Sequence, residues 1–401
     1  MTWRGPERRL LAATLVNSLG NGLWYTGGAI FLVRSVGLAP AEVGVALAVA
    51  ALVGLAASVP IGDVADRLGI RTTFVSTLLV EAAGALALLA VRSVWSFGAV
   101  AVLVAVGRQG SRITRGTYIG LLGGPEARAR LRAYQRSANN LGLSLGALLG
   151  GVVLAIDTRP GYDAMIVLNG LTFLVTAAVM TRMPPVAHPA REGAPPPRWT
   201  ALRDRGFLAV VALDGVASVH YAVLEVTVPL WVATRTLAPR WIVAILLVVN
   251  TGGVVLMQVR AARGVNGPAA AAASVRRAGL LLALAFPVYA LSEHRAPVAA
   301  VALLIAATAG HTLAEVWHAA GGFELGYALA EPRALGQYQG VFGLGQGAGQ
   351  ALGPALANAL CLAWGAGGWL VLSALMLSVA LAIRPVVART AAHRSLVLSS
   401  A

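Results

Sequence analysis

The chain has 401 residues, of which 58% are hydrophobic and 12% charged. A soluble domain carries about a quarter charged residues, and here the apolar residues come in blocks near the ~20 residues that cross a bilayer, so a water-soluble core is excluded. The net charge of +15 rests on 31 basic residues, all arginine, scattered rather than gathered on one face, which excludes nucleic-acid binding.

Apolar runs give twelve expected spans, at 10–33, 42–62, 72–91, 94–121, 138–156, 164–182, 207–233, 241–259, 276–292, 297–320, 338–363 and 367–388. The start, MTWRGPERRLLAATLV, has the basic-then-apolar order of a signal peptide. Its apolar stretch continues past Leu23 with no A-x-A cleavage site, so a retained first span is expected. The ninth span is the weakest, short and holding Pro287. An even number of spans puts both termini on one side. With a cytoplasmic N-terminus, 22 arginines fall in inside segments or at the inner ends of spans and 6 in outside segments, which fixes the orientation by the positive-inside rule. Arginine without lysine, beside abundant Ala and Gly, suggests a high-G+C bacterial genome, and hence a bacterial cytoplasmic membrane. Cys361, the one cysteine, lies in an apolar run and can form no internal disulfide or multi-cysteine metal site.

The longest polar segment, 183–206, is rich in proline and arginine and reads as a linker. It divides the chain into six-helix bundles at 1–182 and 207–401. The halves repeat. An offset of 197 pairs Asn17 with Asp214. An offset of 203 pairs Gly107-Arg108 with Gly310-His311, Arg112 with Glu315, and Arg115 with His318. The same offset pairs Gly142, Gly146 and Gly150 with Gly345, Gly349 and Gly353. Parallel repeats of six helices are a transporter plan with the substrate site between halves.

Residues 62–71 read GDVADRLGIR, four charges and two glycines between apolar runs. Gly62, Asp66, Arg67, Gly69 and Arg71 match G-x-x-x-D-R-x-G-x-R, and the stretch resembles the cytoplasmic signature loop of the major facilitator superfamily. The resemblance implies an all-α membrane protein of the major facilitator fold, with 12 transmembrane helices as two six-helix bundles related by a pseudo-twofold axis. It implies that this loop is a latch, with the start of span eleven near Gln337 as its partner. The second-half loop VRAARGVNG (259–267) has lost the acid.

Span five, GLSLGALLGG (142–151), resembles the antiporter motif of the drug:proton efflux branch, with Ala147 where proline stands. Span eleven keeps the proline, with Gly349, Gly353 and Pro354. Glycines four apart also make a smooth face for helix packing. Arg112-x-x-Arg115-Gly116 resembles the family's R-x-x-Q-G motif, whose arginine is linked to proton handling.

A charge within a span costs about 3 kcal/mol on insertion scales, so it marks a cavity or partner. Asp214, Glu315, Arg112, Glu81 and Glu225 are therefore candidates for proton coupling, while Glu324 is expected near the cytoplasmic end. Arg108, Arg112 and Arg115 share a helix face, as do His311, Glu315 and His318, and Arg112 with Glu315 is an expected charge pair. Asn17, Asn21, Trp24, Tyr25, His220, Arg108 and His311 are candidates for lining a substrate cavity.

The expected activity is export of a small amphiphilic drug or metabolite by proton antiport, driven by the proton motive force without a cofactor or metal, in a monomer. The alternatives are a nutrient symporter or uniporter for a sugar or organic anion, and a non-transporting membrane sensor. No nucleophile–base spacing, metal cluster or phosphate loop points to an enzyme.

Overall fold

The computed structural model describes residues 5–122, 124–183 and 197–399, so most of the expected linker (184–196) lies outside the described residues. All regular structure among them is helical. The helices are α1 Gly5–Ile30, α2 Pro40–Ala56, α3 Ser58–Leu68, α4 Ile70–Ala87, α5 Val94–Leu121, α6 Pro125–Ile156, α7 Arg159–Thr181 and α8 Thr200–Arg203. They continue as α9 Arg205–Ala217, α10 Val219–Ala222, α11 Val228–Arg235, α12 Ile242–Ala261, α13 Gly267–Leu291, α14 Pro297–Ala328, α15 Leu335–Trp364 and α16 Ala366–Ser399.

Local chemistry sets many ends. The Ser93, Thr158 and Asp204 side chains accept backbone N–H bonds at the starts of α5, α7 and α9, satisfying donors that a first turn leaves orphaned. Prolines occupy the first turns of α2, α7, α13 and α14, where a missing N–H costs nothing. Gly69 ends α3 at φ +96°, a conformation that favours glycine. The α2–α3 pair bends by 43°, and Pro60, early in α3, removes the hydrogen bond that would carry the helix through.

Among the described residues, eight helical spans are long and apolar enough to cross a membrane, or nine if the bent α2–α3 pair counts as one. Expected spans also fell on α1, α5 and α15, which have 26, 28 and 30 residues. These three are long enough but diluted: α1 by Glu7, Arg8, Arg9, Asn17 and Asn21, α5 by three arginines, α15 by glycine and glutamine. Large apolar side chains face outward, among them Leu148, Leu256 and Leu284, each about 70% exposed, as lipid-facing surfaces require.

The chain forms two compact units. In the first, α4 packs on α5 and α7, α1 on α7, and α2 on α5. In the second, α13 packs on α14 and α16, α9 on α16, and α12 on α14. Replacing α1, α2, α4, α5 and α7 by α9, α12, α13, α14 and α16 turns each pairing of the first unit into one of the second, so the duplication read in the sequence recurs in the packing. The first core centres on Phe31, Phe97, Tyr162 and Met165, the second on Trp231, Phe286, Tyr289 and Trp369. Each unit is completed by a segment from the other half of the sequence: Glu331–Gly340 belongs to the first unit, Gly124–Ala133 to the second.

Candidate functional site

In the first unit, Asp66 is 3% exposed and accepts hydrogen bonds from the backbone N–H groups of Gly336 (2.7 Å) and Gln337 (2.9 Å). These lie in the first turn of α15, where N–H groups lack intrahelical acceptors and the helix dipole favours a carboxylate. The approach depends on Gly62: a Cβ there would lie 2.2 Å from the Gly336 carbonyl oxygen. Asp63 joins in, accepting from Gln337 Nε2 at 3.1 Å and pairing with Arg67 Nε at 2.9 Å. Arg71 donates to the Met183 carbonyl at 3.0 Å.

The second unit has its own joint, which sequence reading missed. Glu324, near the C-terminal end of α14, is 3% exposed. It takes both oxygens to Arg128 Nη2, at 2.9 and 3.0 Å, and accepts from Gly267 N–H at 3.0 Å, the first residue of α13. The acid absent from loop 259–267 is thus supplied by α14. The surrounding arginines lie against aromatic faces: Arg128 is 5.0 Å from the Tyr327 ring, and Arg132 is 5.0 Å from the Phe323 ring and bonded to the Tyr327 hydroxyl. The offset of 203 also pairs Arg130 with Arg333, a sequence signal that these two segments are equivalent.

A cavity opens within the first unit, lined by Asn21, Trp24, Tyr25, Glu81, Phe97, Arg108, Asn169 and Phe173, among others. Glycines build it. Gly107 and Gly110 of α5 let α4 approach so closely that a Cβ would meet Glu81 Cγ at 2.8 Å or Thr77 Cγ2 at 2.3 Å. Glu81, 2% exposed, thereby accepts a hydrogen bond from Ser111. Arg108 donates to the Tyr25 hydroxyl at 3.0 Å. Asn21 donates to Asn17 at 2.8 Å, and Asn169 Oδ1 is buried with no hydrogen-bond partner among the described residues. Asn169 and Ser111 were not among the expected site residues: Asn169 is a single uncharged residue in an apolar run, and Ser111 lies in the shadow of its charged neighbours Arg108 and Arg112.

Within the second unit, four buried side chains form a continuous hydrogen-bonded chain. His311 Nε2 meets His220 Nδ1 at 3.1 Å, His220 Nε2 meets His318 Nδ1 at 3.0 Å, and His318 Nε2 meets Asp214 Oδ1 at 3.1 Å. All four are at most 1% exposed. His311 and His318 stand two turns apart on α14, His220 is on α10 and Asp214 on α9. Gly322 leaves room for the carboxylate, since a Cβ there would lie 2.6 Å from Asp214 Oδ1. Glu315 does not join its two neighbouring histidines. It turns to α12, accepting from Asn250 Nδ2 at 2.8 Å, because four residues advance a helix past a full turn while seven fall just short of two. Glu225 is exposed on a π-helical turn, Val223–Thr227. Arg112 belongs to the first unit and Glu315 to the second. Among the described residues, no group of three or more His, Cys, Asp or Glu is arranged to hold a metal ion.

The glycine faces pack helices. Cβ atoms at Gly142 and Gly146 would lie 2.5 and 2.0 Å from the Leu15 and Leu19 carbonyl oxygens of α1, and one at Gly150 would lie 2.8 Å from Thr26 Cβ. Gly349 and Gly353 do the same for α15 against Gly215 of α9 and Ala222 of α10, with Pro354 inside α15.

The family profile for the Major Facilitator Superfamily matches residues 10–320. The chain is 29% identical over 226 residues to the multidrug resistance protein MdtH of Cronobacter sakazakii, covering 54% of each protein, so it matches about half of that relative's length. The fold is shared with a bacterial homologue of the iron transporter ferroportin (TM-score 0.72, 14% identity, 97% of this chain and 100% of that one). It is shared also with the fucose:proton symporter of Escherichia coli (0.66, 12%, 95% and 98%) and the human organic anion transporter TETRAN (0.63, 18%, 95% and 100%). With the profile spanning most of the chain and the whole fold shared with transporters, this multi-pass membrane protein belongs to the major facilitator superfamily.

Proposed function

We propose that the chain exports a small amphiphilic molecule, a drug or secreted metabolite, in exchange for protons, by alternating access in the cytoplasmic membrane with both termini inside. The reading takes residues 1–182 and 207–401 as two six-helix halves acting in one monomer, and Gly62–Arg71 as the latch between their states. The observation that carries it is the cavity of the first unit. Aromatic walls from Trp24, Tyr25, Phe97 and Phe173 surround one buried carboxylate, Glu81. That combination suits an aromatic ligand bearing a cationic or hydrogen-bond-donating group. The likeness to a protein named for multidrug resistance supports it. Arg108 in the same cavity favours, as a second reading, an organic anion, the substrate class named for the human relative.

Inside-out membrane vesicles with an imposed pH gradient test this, screened with dyes, antibiotics, sugars and organic anions. The expected result is gradient-dependent uptake of an aromatic amphiphile, collapsed by an uncoupler. In Glu81→Gln its half-saturation rises about tenfold, the ~1.4 kcal/mol scale of one charge-assisted hydrogen bond. Uptake indifferent to gradient and uncoupler refutes proton antiport. Uptake confined to sugars refutes the amphiphile.

A further inference from the structure

The chain His311–His220–His318–Asp214 has a feature that a mere packed cluster lacks: both of its ends are open. His311 Nδ1 and Asp214 Oδ2 are buried, and neither has a hydrogen-bond partner among the described residues. Every internal link is made, at 3.0 to 3.1 Å. Each nitrogen–nitrogen contact requires one proton between its two atoms, so the protons can be counted.

With Asp214 ionised and three neutral imidazoles, all three links are satisfied in one way only. Each histidine carries its proton on Nε2, donating from His311 to His220, from His220 to His318, and from His318 to Asp214. His311 Nδ1 is then a bare acceptor. A fourth proton arriving there displaces the others in turn. It bonds to His311 Nδ1, and the His311 Nε2 proton passes to His220 Nδ1. The His220 Nε2 proton passes to His318 Nδ1, and the His318 Nε2 proton passes to Asp214 Oδ1. Four protons then occupy the chain, all three imidazoles carry theirs on Nδ1, and every link is still made with donor and acceptor exchanged.

We infer that these four side chains hold one exchangeable proton as a unit, taken up at His311 Nδ1 and stored on Asp214. The inference rests on the antiport reading above for its use, and supplies the coupling site of that cycle. The geometry accounts for storage, because both unpartnered ends are buried away from bulk solvent. It also places the release point. His220, the middle link, sits on a helix of four residues between a break at Ser218 and the π-helical turn Val223–Thr227. Such irregular turns are where a span bends, and turning His220 away severs both of its links at once.

Other groups surround the chain. The Tyr221 ring lies beside His220 and His318, with centroids 4.1 and 5.9 Å away. Tyr289 lies beside His311, and its hydroxyl is engaged with Thr308 at 3.0 Å. Glu315 faces Asn250, and Glu225 is exposed on the π turn. A metal-binding reading fits less well, because the nitrogens bond one another in a line instead of converging on a point.

The test is solid-state NMR of protein labelled with 15N-histidine in lipid, titrated from high to low pH. The expected result is joint inversion of three tautomers, from Nε2–H to Nδ1–H, without imidazolium at those positions, and its loss in Asp214→Asn. In vesicles, His220→Phe should lower gradient-driven uptake at least tenfold, and an unchanged elution profile with unchanged helical circular dichroism shows that the variant folds. Separate imidazolium signals from the three rings, inversion that survives Asp214→Asn, or stoichiometric Co2+ binding lost in His220→Phe each overturn the inference. Joint inversion in a protein whose flux ignores the pH gradient supports the proton store and refutes antiport instead.

Discussion

Replacing Asp66 by asparagine tests the joint between α3 and the start of α15. The carboxylate accepts from two amides, Gly336 at 2.7 Å and Gln337 at 2.9 Å, and is 3% exposed. Asparagine offers one acceptor oxygen, and its NH2 group faces the second amide donor to donor. One charge-assisted bond is lost, one is weakened, and an N–H is left buried, for a cost of about 2–3 kcal/mol, or roughly 30- to 150-fold in the opening equilibrium. Amide hydrogen exchange reads this directly. First-turn amides have no intrahelical acceptor, so protection at Gly336 and Gln337 comes from Asp66, and exchange there should accelerate by that factor. Amides deeper in α15, bonded within the helix, should keep their protection. Unchanged exchange at Gly336 and Gln337 would refute the reasoning, and uniform acceleration along α15 would mean that the variant is merely unfolding.

Other perturbations follow from the same geometry. Glu324→Ala strands Arg128, 14% exposed at its side chain, and should cost about 3–5 kcal/mol, as breaking a buried ion pair does; a double-mutant cycle with Arg128→Ala in thermal unfolding should show strong coupling, and additive effects would refute the pair. Gly146→Val forces α1 from α6 by placing a Cβ 2.0 Å from the Leu19 carbonyl oxygen, and should cost about 1–3 kcal/mol, read as a lowered Tm; an unshifted Tm refutes the contact. Gly322→Ala sets a methyl group 2.6 Å from Asp214 Oδ1, and should reduce gradient-driven uptake as severely as Asp214→Asn does. By contrast, Asp163→Asn removes an exposed partner of Arg159, both side chains being over a third exposed, and should shift stability by less than about 1 kcal/mol.

The membrane class was legible because greasy runs of span length have few alternative explanations, and the family because the Gly62–Arg71 motif combines residue types, spacing and position between two spans. The duplication was legible through polar pairs at constant offsets, and the same pairing recurs in how the helices pack. Side-chain partnerships were not. Grouping His311, Glu315 and His318 on one face ignored that a helix face is wide enough to meet two neighbours, so the histidines reach α10 while Glu315 reaches α12. His318 appeared in the spacing but not among the expected site residues, since only the fold brings α9, α10 and α14 together. The Arg128–Glu324 pair was out of reach for a related reason. Position along a span says how deep a residue lies, but not whether an arginine from a distant segment covers it.

The exchange of Glu331–Gly340 and Gly124–Ala133 between the units has an evolutionary reading. One copy of the repeat, cut at the linker, carries the piece that finishes the other unit and lacks the piece that finishes its own. An ancestral gene encoding one copy could complete its fold only by trading that piece with a second, identical chain. Fusion into one polypeptide would make a reciprocal exchange between subunits permanent. Separately expressed halves of the present protein should accordingly find each other, because each holds what the other is missing.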